Sequence, residues 1–240
     1  MGKHRKAQRA RAAGGADSPL FTVATTDDVL RAFERFDPGV GWETIGPSVL
    51  PLLPRHTPSP IRVGAPIQAM LGPGILVGFG IDVGPAFAGV TRELVDGWGV
   101  ADADVVATSL ANVRALASEL PPGAVTAVGL SDGRTVRILQ SGAGWASTLL
   151  LLPDLLPRFF GPGPHLVGAP CRDVLLAFPP DTPLDLVFDL VGEIAWADPA
   201  GLVASCHRHR NGALEPVAAP VPGGVVARDP EPPDRPRFVS

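Results

Sequence analysis

The sequence contains little cysteine and little lysine, and its basic start lacks the features of a targeting signal. Two cysteines, Cys171 and Cys206, occur in 240 residues, too few for the disulfide framework of a small secreted domain. The five Lys and Arg of the first eleven residues are not followed by the apolar stretch of ~7–15 residues that a secretory signal needs. A 19-residue uncharged stretch at 63–81 contains two prolines and five glycines, which favours strands over a membrane span. The sequence therefore predicts a cytoplasmic protein.

Abundant Ala and Arg beside two lysines indicate a GC-rich bacterial source, such as an actinobacterium.

Motifs of common catalytic and nucleotide-binding sites are also missing. No serine lies in a G-x-S-x-G elbow. The glycines at 72–80 precede a predicted strand instead of opening a helix, unlike those of a dinucleotide-binding loop. Cys171 has no nearby signature of a base that would activate a thiol nucleophile. No cofactor is expected.

Charge is distributed unevenly along the chain. The formal net charge is −4, from 20 basic and 24 acidic residues. Without the five basic residues of the start, 15 basic and 24 acidic residues remain, so the body carries −9. This acidic body argues against nucleic-acid binding, which needs a basic face. Only the basic tail is suited to RNA, DNA or anionic lipid. The partner is otherwise expected to be an unidentified protein or small molecule.

The hydrophobic pattern predicts the α+β class, with one mixed sheet-and-helix domain between two disordered tails. The tails are a basic segment at 1–17 and a Pro-rich segment at 222–240, and the domain spans 18–221. Strands and helices do not alternate regularly, which argues against a doubly wound sheet. Helices are predicted at 25–36, 102–120 and 182–198, and strands at 45–53, 61–63, 75–83, 86–91, 125–130, 135–140, 174–178, 202–209 and 213–217.

Several separated motifs are similar to a known family. In chain order they are IDV at 81–83, LVDGWGV at 94–100, SLANVRAL at 109–116, WAS at 145–147 and PCRD at 170–173. Together they resemble the YtpQ-like bacterial domain of unknown function over roughly residues 75–200. The family has no established activity, so the resemblance implies a similar fold and no catalytic role.

The chain departs from the pattern of this family at two positions. Trp145 stands where the family usually carries a phenol, and Thr148 where it usually carries an arginine; the chain has no tyrosine at all. If those side chains carry the family's function, this chain does not share it.

Asn112, Arg172 and Asp173 are the candidate polar site. Arg172 and Asp173 precede the continuous apolar strand predicted at 174–178. An arginine there can recognise an anionic group, with the aspartate as an orienting group or base. The structural alternative, which we favour, is an arginine bonded to loop carbonyls and an aspartate accepting backbone N–H groups. Alternation along a strand predicts separate partners for the two side chains.

Three carboxylates form a column along the last predicted helix. Asp185, Asp189 and Glu193 recur at every fourth position, with no basic residue from 179 to 204. Like charges at this spacing destabilise a helix. Either a cation or basic partner offsets this repulsion, or the column is a solvated face, alone or paired with Arg208 and Arg210. The solvated face is the favoured interpretation.

Two histidines on a predicted strand suggest a metal site. His207 and His209 share a face, and zinc would need further ligands, with His165 or Asp173 as the nearest candidates. The alternative, which we favour, is that both are surface histidines on an edge strand. Because no second Cys or His cluster exists in the sequence, no stoichiometric metal is expected.

No catalytic constellation assembles from the sequence. The first hypothesis is therefore a non-catalytic cytosolic module that binds a ligand or a protein. The alternative is a hydrolase or transferase with a polar pocket around Arg172, Asp173 and Asn112.

Overall fold

The computed structural model describes residues 31, 37, 39–55, 64–72, 74–83, 86–198, 201–203 and 205–219. The tails predicted at 1–17 and 222–240 lie outside these residues, as do the strand predicted at 61–63 and nearly all of the helix predicted at 25–36.

Two antiparallel sheets and the helices packed on them make up the described part of the chain, which confirms the predicted α+β class. The sequence did not predict how the strands pair, and in the structure they divide into a small and a large sheet. The strands are β1 (Val49–Leu52), β2 (Gln68–Leu71), β3 (Ile75–Asp82), β4 (Phe87–Gly89), β5 (Val125–Gly129), β6 (Thr135–Gln140), β7 (His165–Cys171), β8 (Val174–Phe178), β9 (Cys206–Arg210) and β10 (Ala213–Val217). The helices are α1 (Trp42–Ile45), α2 (Arg92–Trp98), α3 (Asp102–Glu119), α4 (Leu156–Phe160) and α5 (Leu184–Ala197).

The small sheet is built around β3, which pairs with β1, β2 and β4. Glycines inside a strand pattern indicate a close approach by another element, and Gly80 of β3 shows one. A Cβ at Gly80 would lie 2.6 Å from Cδ1 of Leu52 on β1 and 3.1 Å from Cβ of Phe87 on β4. The missing side chain therefore lets both neighbouring strands pack closely on β3.

The large sheet has the strand order β10-β9-β7-β8-β6-β5. Its two predicted hairpins are confirmed: β5 pairs with β6 around Asp132-Gly133, and β9 pairs with β10 around Asn211-Gly212. Asn211 and Gly212 have φ of 51° and 73°, the positive values that a two-residue hairpin turn of this type requires.

Helix α5 covers one face of the large sheet, where Val187 and Val191 pack against β7 and β8. Gly168 of β7 allows this contact, because a Cβ there would lie 2.6 Å from Cγ2 of Val191. The opposite face packs against the 3-10 segment Ala146–Leu151 and the core it shares with the small sheet and α3. The large sheet is therefore buried on both faces at its centre.

Helix α3 was predicted with nearly the correct bounds but with a shifted buried face. The apolar residues at 106, 110, 113, 117 and 120 recur at helical spacing and predict the buried face. The fully buried side chains are Val105, Ser109, Val113 and Ala117. Ser109 was missed because it is polar; its hydroxyl donates to the Val106 carbonyl oxygen at 2.9 Å, which makes its burial inexpensive.

Two buried segments were not assigned from the sequence. Strand β7 is buried at six of its seven positions and contains Gly168 and Pro170, so it shows neither alternation nor an unbroken apolar run. The apolar run after Trp145 forms the 3-10 segment Ala146–Leu151, in which every residue is buried. Within the described residues, no helix has the length and apolar character needed to cross a bilayer.

Candidate functional site

Arg172 and Asp173 form the two-residue turn between β7 and β8, where Cys171 pairs with Val174. Both side chains are half-buried. As the sequence predicted, the two side chains contact different groups: Arg172 lies over Phe87, and Asp173 bonds to the loop after β6. The two residues have different roles in the structure.

The Asp173 carboxylate organises the loop that follows β6. It accepts hydrogen bonds from the Ser141 hydroxyl, from the Gly142 N–H at 3.1 Å and from the Gly144 N–H at 2.9 Å. The Ser141 hydroxyl in turn accepts from the Trp145 N–H at 3.2 Å. These bonds match the structural alternative for the aspartate. Both carboxylate oxygens already accept hydrogen bonds from the loop at 141–144.

The backbone of the same turn holds the apolar 3-10 segment in place. The Ser147 N–H donates to the Arg172 carbonyl oxygen at 3.0 Å. Thr148 closes the segment on itself, because its hydroxyl donates to the Trp145 carbonyl oxygen at 2.6 Å. The WAS motif and the PCRD motif therefore contact each other through the backbone.

The Arg172 side chain lies between the two sheets and forms no hydrogen bond with the described part of the chain. Its guanidinium carbon is 5.0 Å from the ring centre of Phe87 on β4. Its Nε is buried and donates to no acceptor among the described residues. None of the ion pairs found among the described residues includes it. The predicted bonds from this arginine to loop carbonyls are not found in the loops that the structure describes.

A second arginine lies close enough to affect Arg172. Burial and, to a smaller extent, the positive charge of Arg55 together lower the pKa of Arg172 to about 10. The backbone brings them together, because Arg55 pairs with Leu202 and the Leu202 N–H donates to the Pro170 carbonyl oxygen at 2.9 Å. Two like charges therefore share one partly buried region.

Asn112 has a separate role from Arg172 and Asp173. Its side-chain amide on α3 donates to the Gly46 carbonyl oxygen at 2.8 Å and to the Val49 carbonyl oxygen at 2.9 Å. Among the described residues it forms no hydrogen bond with the turn at Arg172. Asn112 therefore fastens α3 to the start of β1, and the three predicted site residues form no common hydrogen-bond network.

The acidic column lies on the outer face of α5. Asp185, Asp189 and Glu193 are all exposed. No ion pair found in the described part of the chain involves any of them, Arg208 or Arg210. The arrangement fits the solvated-face interpretation.

Three histidines share one face of the large sheet. His209 lies opposite His165 on the neighbouring strand β7, and their rings stack with centres 6.4 Å apart. The prediction of surface histidines on an edge strand is wrong, because β9 lies between β10 and β7 and His207 and His209 are 4% and 1% exposed. Burial lowers the pKa of both. Within the described residues, no three His, Cys, Asp or Glu side chains are arranged to hold a metal ion.

Both cysteines are buried thiols. Burial raises the pKa of Cys171 to about 12 and that of Cys206 to about 12. A thiol with such a pKa is almost entirely protonated at neutral pH, and the thiolate is the reactive form. The geometry therefore supports a packing role for both cysteines.

Sequence reasoning missed Ser141 and Phe87. The Ser-Gly-Ala-Gly run at 141–144, directly after a predicted strand, was an available signal for a loop that needs a capping acceptor. Phe87 gave no signal, because its contact with Arg172 joins two sheets and depends on how they pack.

The chain matches no known protein family, no curated protein and no solved structure. The resemblance to the YtpQ-like domain therefore stays a prediction.

Proposed function

We propose that this chain is a non-catalytic cytosolic binding module that recognises a small anion, a carboxylate or a phosphate, at Arg172 and Arg55. The observation that carries the proposal is the half-buried Arg172 guanidinium. Within the described residues its buried Nε has no acceptor and it pairs with no carboxylate. The two buried, unbridged thiols support the cytosolic part of the proposal.

The energetics of Arg172 favour an external anion. Burying a charge is costly unless the charge is paired and hydrogen-bonded. The nearby positive charge of Arg55 adds to this cost and lowers the pKa of Arg172. An anion between the two guanidinium groups would offset both the cost of burying the Arg172 charge and its repulsion by Arg55. A guanidinium presents its N–H groups in the geometry that carboxylates and phosphates accept.

The enzymatic alternative receives less support from the geometry. A hydrolase or transferase at this place would need Asp173 as a base or orienting group and Asn112 near the substrate. The Asp173 carboxylate already accepts hydrogen bonds from Ser141, Gly142 and Gly144. The Asn112 amide already donates to two backbone carbonyls. Arg172 is the member of the set whose donors remain available.

The test measures thermal unfolding of the purified chain with increasing inorganic phosphate, and separately with acetate, at constant ionic strength. Ligand binding to the folded state raises the midpoint as ligand concentration exceeds the dissociation constant. We expect at least one of the two anions to raise the midpoint in the wild type and not in Arg172→Met. Because this variant removes a buried charge that forms no hydrogen bond, we expect it to fold with unchanged or higher stability.

Arg158→Met is the matched control. Arg158 also lies over a phenylalanine, with its guanidinium carbon 5.4 Å from the Phe159 ring centre, but it is exposed and donates to the Ser118 carbonyl oxygen. The anion-dependent shift should persist in this variant. An equal shift in Arg172→Met and the wild type, or no shift with either anion, would overturn the proposal.

Turnover distinguishes the enzymatic alternative. The chain is incubated with p-nitrophenyl phosphate and p-nitrophenyl acetate, and release of p-nitrophenolate is followed. A binding module gives no release above that of the Arg172→Met variant. Release that Asp173→Asn abolishes with an unchanged unfolding midpoint would favour the hydrolase.

A further inference from the structure

Strand β5 is an open edge of the large sheet. It pairs with β6 on one side, and on its other side no strand of the described residues pairs with it. Its last four residues, 126–129, are all exposed, and Val128 is 43% exposed although its side chain is apolar. The backbone of this edge is therefore accessible to a further strand. No residue of β5 belongs to the proposed anion site.

The two edges of the large sheet differ in their protection against such pairing. Natural proteins protect edge strands with charged side chains and prolines, which discourage the addition of another strand. Strand β10, at the other edge, carries both, as Glu215 and Pro216. Strand β5 has the sequence VTAVG, with no charge and no proline. Of these two edges, β5 is therefore the one suited to strand addition.

The hydrogen bonds of the β5–β6 hairpin show which backbone groups point to the open edge. The Leu130 N–H donates to the Arg134 carbonyl oxygen at 2.7 Å, so the backbone groups of Leu130 point towards β6. Backbone groups of successive residues point to opposite sides of a strand. The N–H and C=O groups of Val125, Ala127 and Gly129 therefore point away from β6, and Ala127 is the middle residue of this set.

We propose that β5 pairs with β5 of a second copy of this chain, in an antiparallel arrangement centred on Ala127. In this register Ala127 lies opposite Ala127 of the other copy, and Val125 lies opposite Gly129. Each of these pairs exchanges two hydrogen bonds, so the outward N–H and C=O groups of the whole strand find partners. A contact of this kind is isologous and closes as a two-fold dimer, in which the two six-stranded sheets become continuous.

The side chains of this edge suit a second copy. In the proposed register Val128 lies opposite Thr126 of the other copy. Both are β-branched, and such side chains pack well on a pleated surface. Because β5 carries no charge, the pairing brings no like charges together along the strand.

The charges beyond the ends of β5 are complementary in the same register. The turn at Asp132 of the second copy reaches the level of residue 122, next to a cleft of about 230 Å³ whose lining includes Leu120, Val125 and Arg158. Asp132 and Arg158 are both exposed and opposite in charge. The two-fold axis repeats this approach at the other end of the interface. An unrelated extended peptide would not bring this turn with it, so the charges favour a second copy as the partner.

The pairing surface is small, so the dimer should be weak. One five-residue strand on each copy gives an interface at the low end of the known size range, below ~1,200 Å². Sedimentation velocity of the full chain over a concentration series tests the association. We expect the average mass to rise from monomer towards dimer between about 10 µM and about 1 mM. A monomer throughout this range would overturn the proposal and would favour an extended segment of another protein as the partner of β5.

Lysine at the two-fold axis should weaken the dimer. Ala127→Lys places two ammonium groups opposite each other, where like charges destabilise a strand pair. Because Ala127 is exposed, we expect the fold to persist and the dissociation constant of the dimer to rise by about fivefold or more. Ala213→Lys is the matched control, since Ala213 is exposed on β10, the other edge of the same sheet. Its dissociation constant should stay within about twofold of that of the wild type. Equal weakening by the two variants would overturn the proposal.

A cysteine substitution tests the register without relying on the strength of the dimer. Opposite residues that exchange hydrogen bonds have Cα atoms ~5.5 Å apart, a distance that a disulfide spans. Ala127→Cys should therefore give a disulfide-linked dimer under mild oxidation, detected by non-reducing electrophoresis. The native thiols Cys171 and Cys206 are buried and should not contribute.

Val128→Cys is the control for this cross-link. In the proposed register the two copies of position 128 lie diagonally, ~7–8 Å apart, which is beyond the reach of an unstrained disulfide. We expect this variant to cross-link about tenfold more slowly than Ala127→Cys. Equal rates for the two variants, or no cross-link in Ala127→Cys, would contradict pairing centred on Ala127.

Discussion

The guanidinium carbon of Arg172 lies 5.0 Å from the ring centre of Phe87, and this contact joins the β7–β8 turn of the large sheet to an edge strand of the small sheet. Cation–π contacts of this kind contribute ~0.5–2 kcal/mol, with the larger values where water is excluded. We therefore expect the two residues to be energetically coupled. The single variants Phe87→Leu and Arg172→Met and the double variant form a double-mutant cycle.

The cycle is measured by urea unfolding of the four proteins at neutral pH. We expect a coupling energy of about 0.5–2 kcal/mol. Additive effects within about 0.3 kcal/mol would show that the contact between the sheets contributes nothing to stability.

Asp173→Ala should strongly destabilise the protein, because it removes the acceptor of the Ser141 hydroxyl and of two backbone N–H groups. We expect a loss of about 2–4 kcal/mol in the free energy of unfolding, since hydrogen bonds to charged groups contribute ~1.5–3 kcal/mol each and are not additive. Asp181→Ala is the control, because Asp181 is exposed and its ion pair with Arg134 is long, at 3.8 Å. An Asp173→Ala protein as stable as the wild type would show that folding does not need this carboxylate. That result would strengthen the enzymatic alternative.

Asn112→Ala should also destabilise the protein, since two carbonyl oxygens near the start of β1 lose their donor. The expected cost is about 1–3 kcal/mol, measured by chemical unfolding. Arg114→Ala on the same helix is the matched comparison. Its ion pair with Asp154 is 2.7 Å long but about half exposed on both sides, so its loss should cost less than ~1 kcal/mol. The reverse order of the two costs would contradict this assignment.

Stability should fall as the pH drops below the ordinary pKa of histidine. Burial lowers the pKa of His207, and burial followed by the charge of His165 lowers that of His209. The unfolded chain therefore binds more protons than the folded chain below pH ~6.5. The contribution of these two residues is complete above that pH and is lost as the pH falls towards the folded pKa. Each contributes a slope of at most ~1.4 kcal/mol per pH unit.

Urea unfolding at pH 7.5, 6 and 5 would check this dependence. The double variant His207→Leu, His209→Leu should show a flatter decline than the wild type over the same range. Parallel declines would assign the acid sensitivity to other groups. The paired carboxylates Asp102 and Asp154, whose pKa values are lowered by hydrogen bonds from Arg92 and Arg114, act only at lower pH.

The sequence by itself determined the elements whose signals are local. The bounds of β6 and β8, the start of α3 and the hairpin turns at Asp132-Gly133 and Asn211-Gly212 were all readable, because turn residues and periodicity depend on near neighbours along the chain. The kind of hydrogen bond that Asp173 accepts was also predicted, since an aspartate at a turn accepts backbone N–H groups.

Tertiary structure alone decided the division into two sheets, the partner of Arg172 and the strands that form the sheet edges. Strand β7 is central and buried on both faces, so its pattern shows no alternation. The contact of Arg172 with Phe87 joins segments distant in sequence. Such contacts depend on how the sheets pack. No local propensity encodes which buried polar group the packing leaves without a partner.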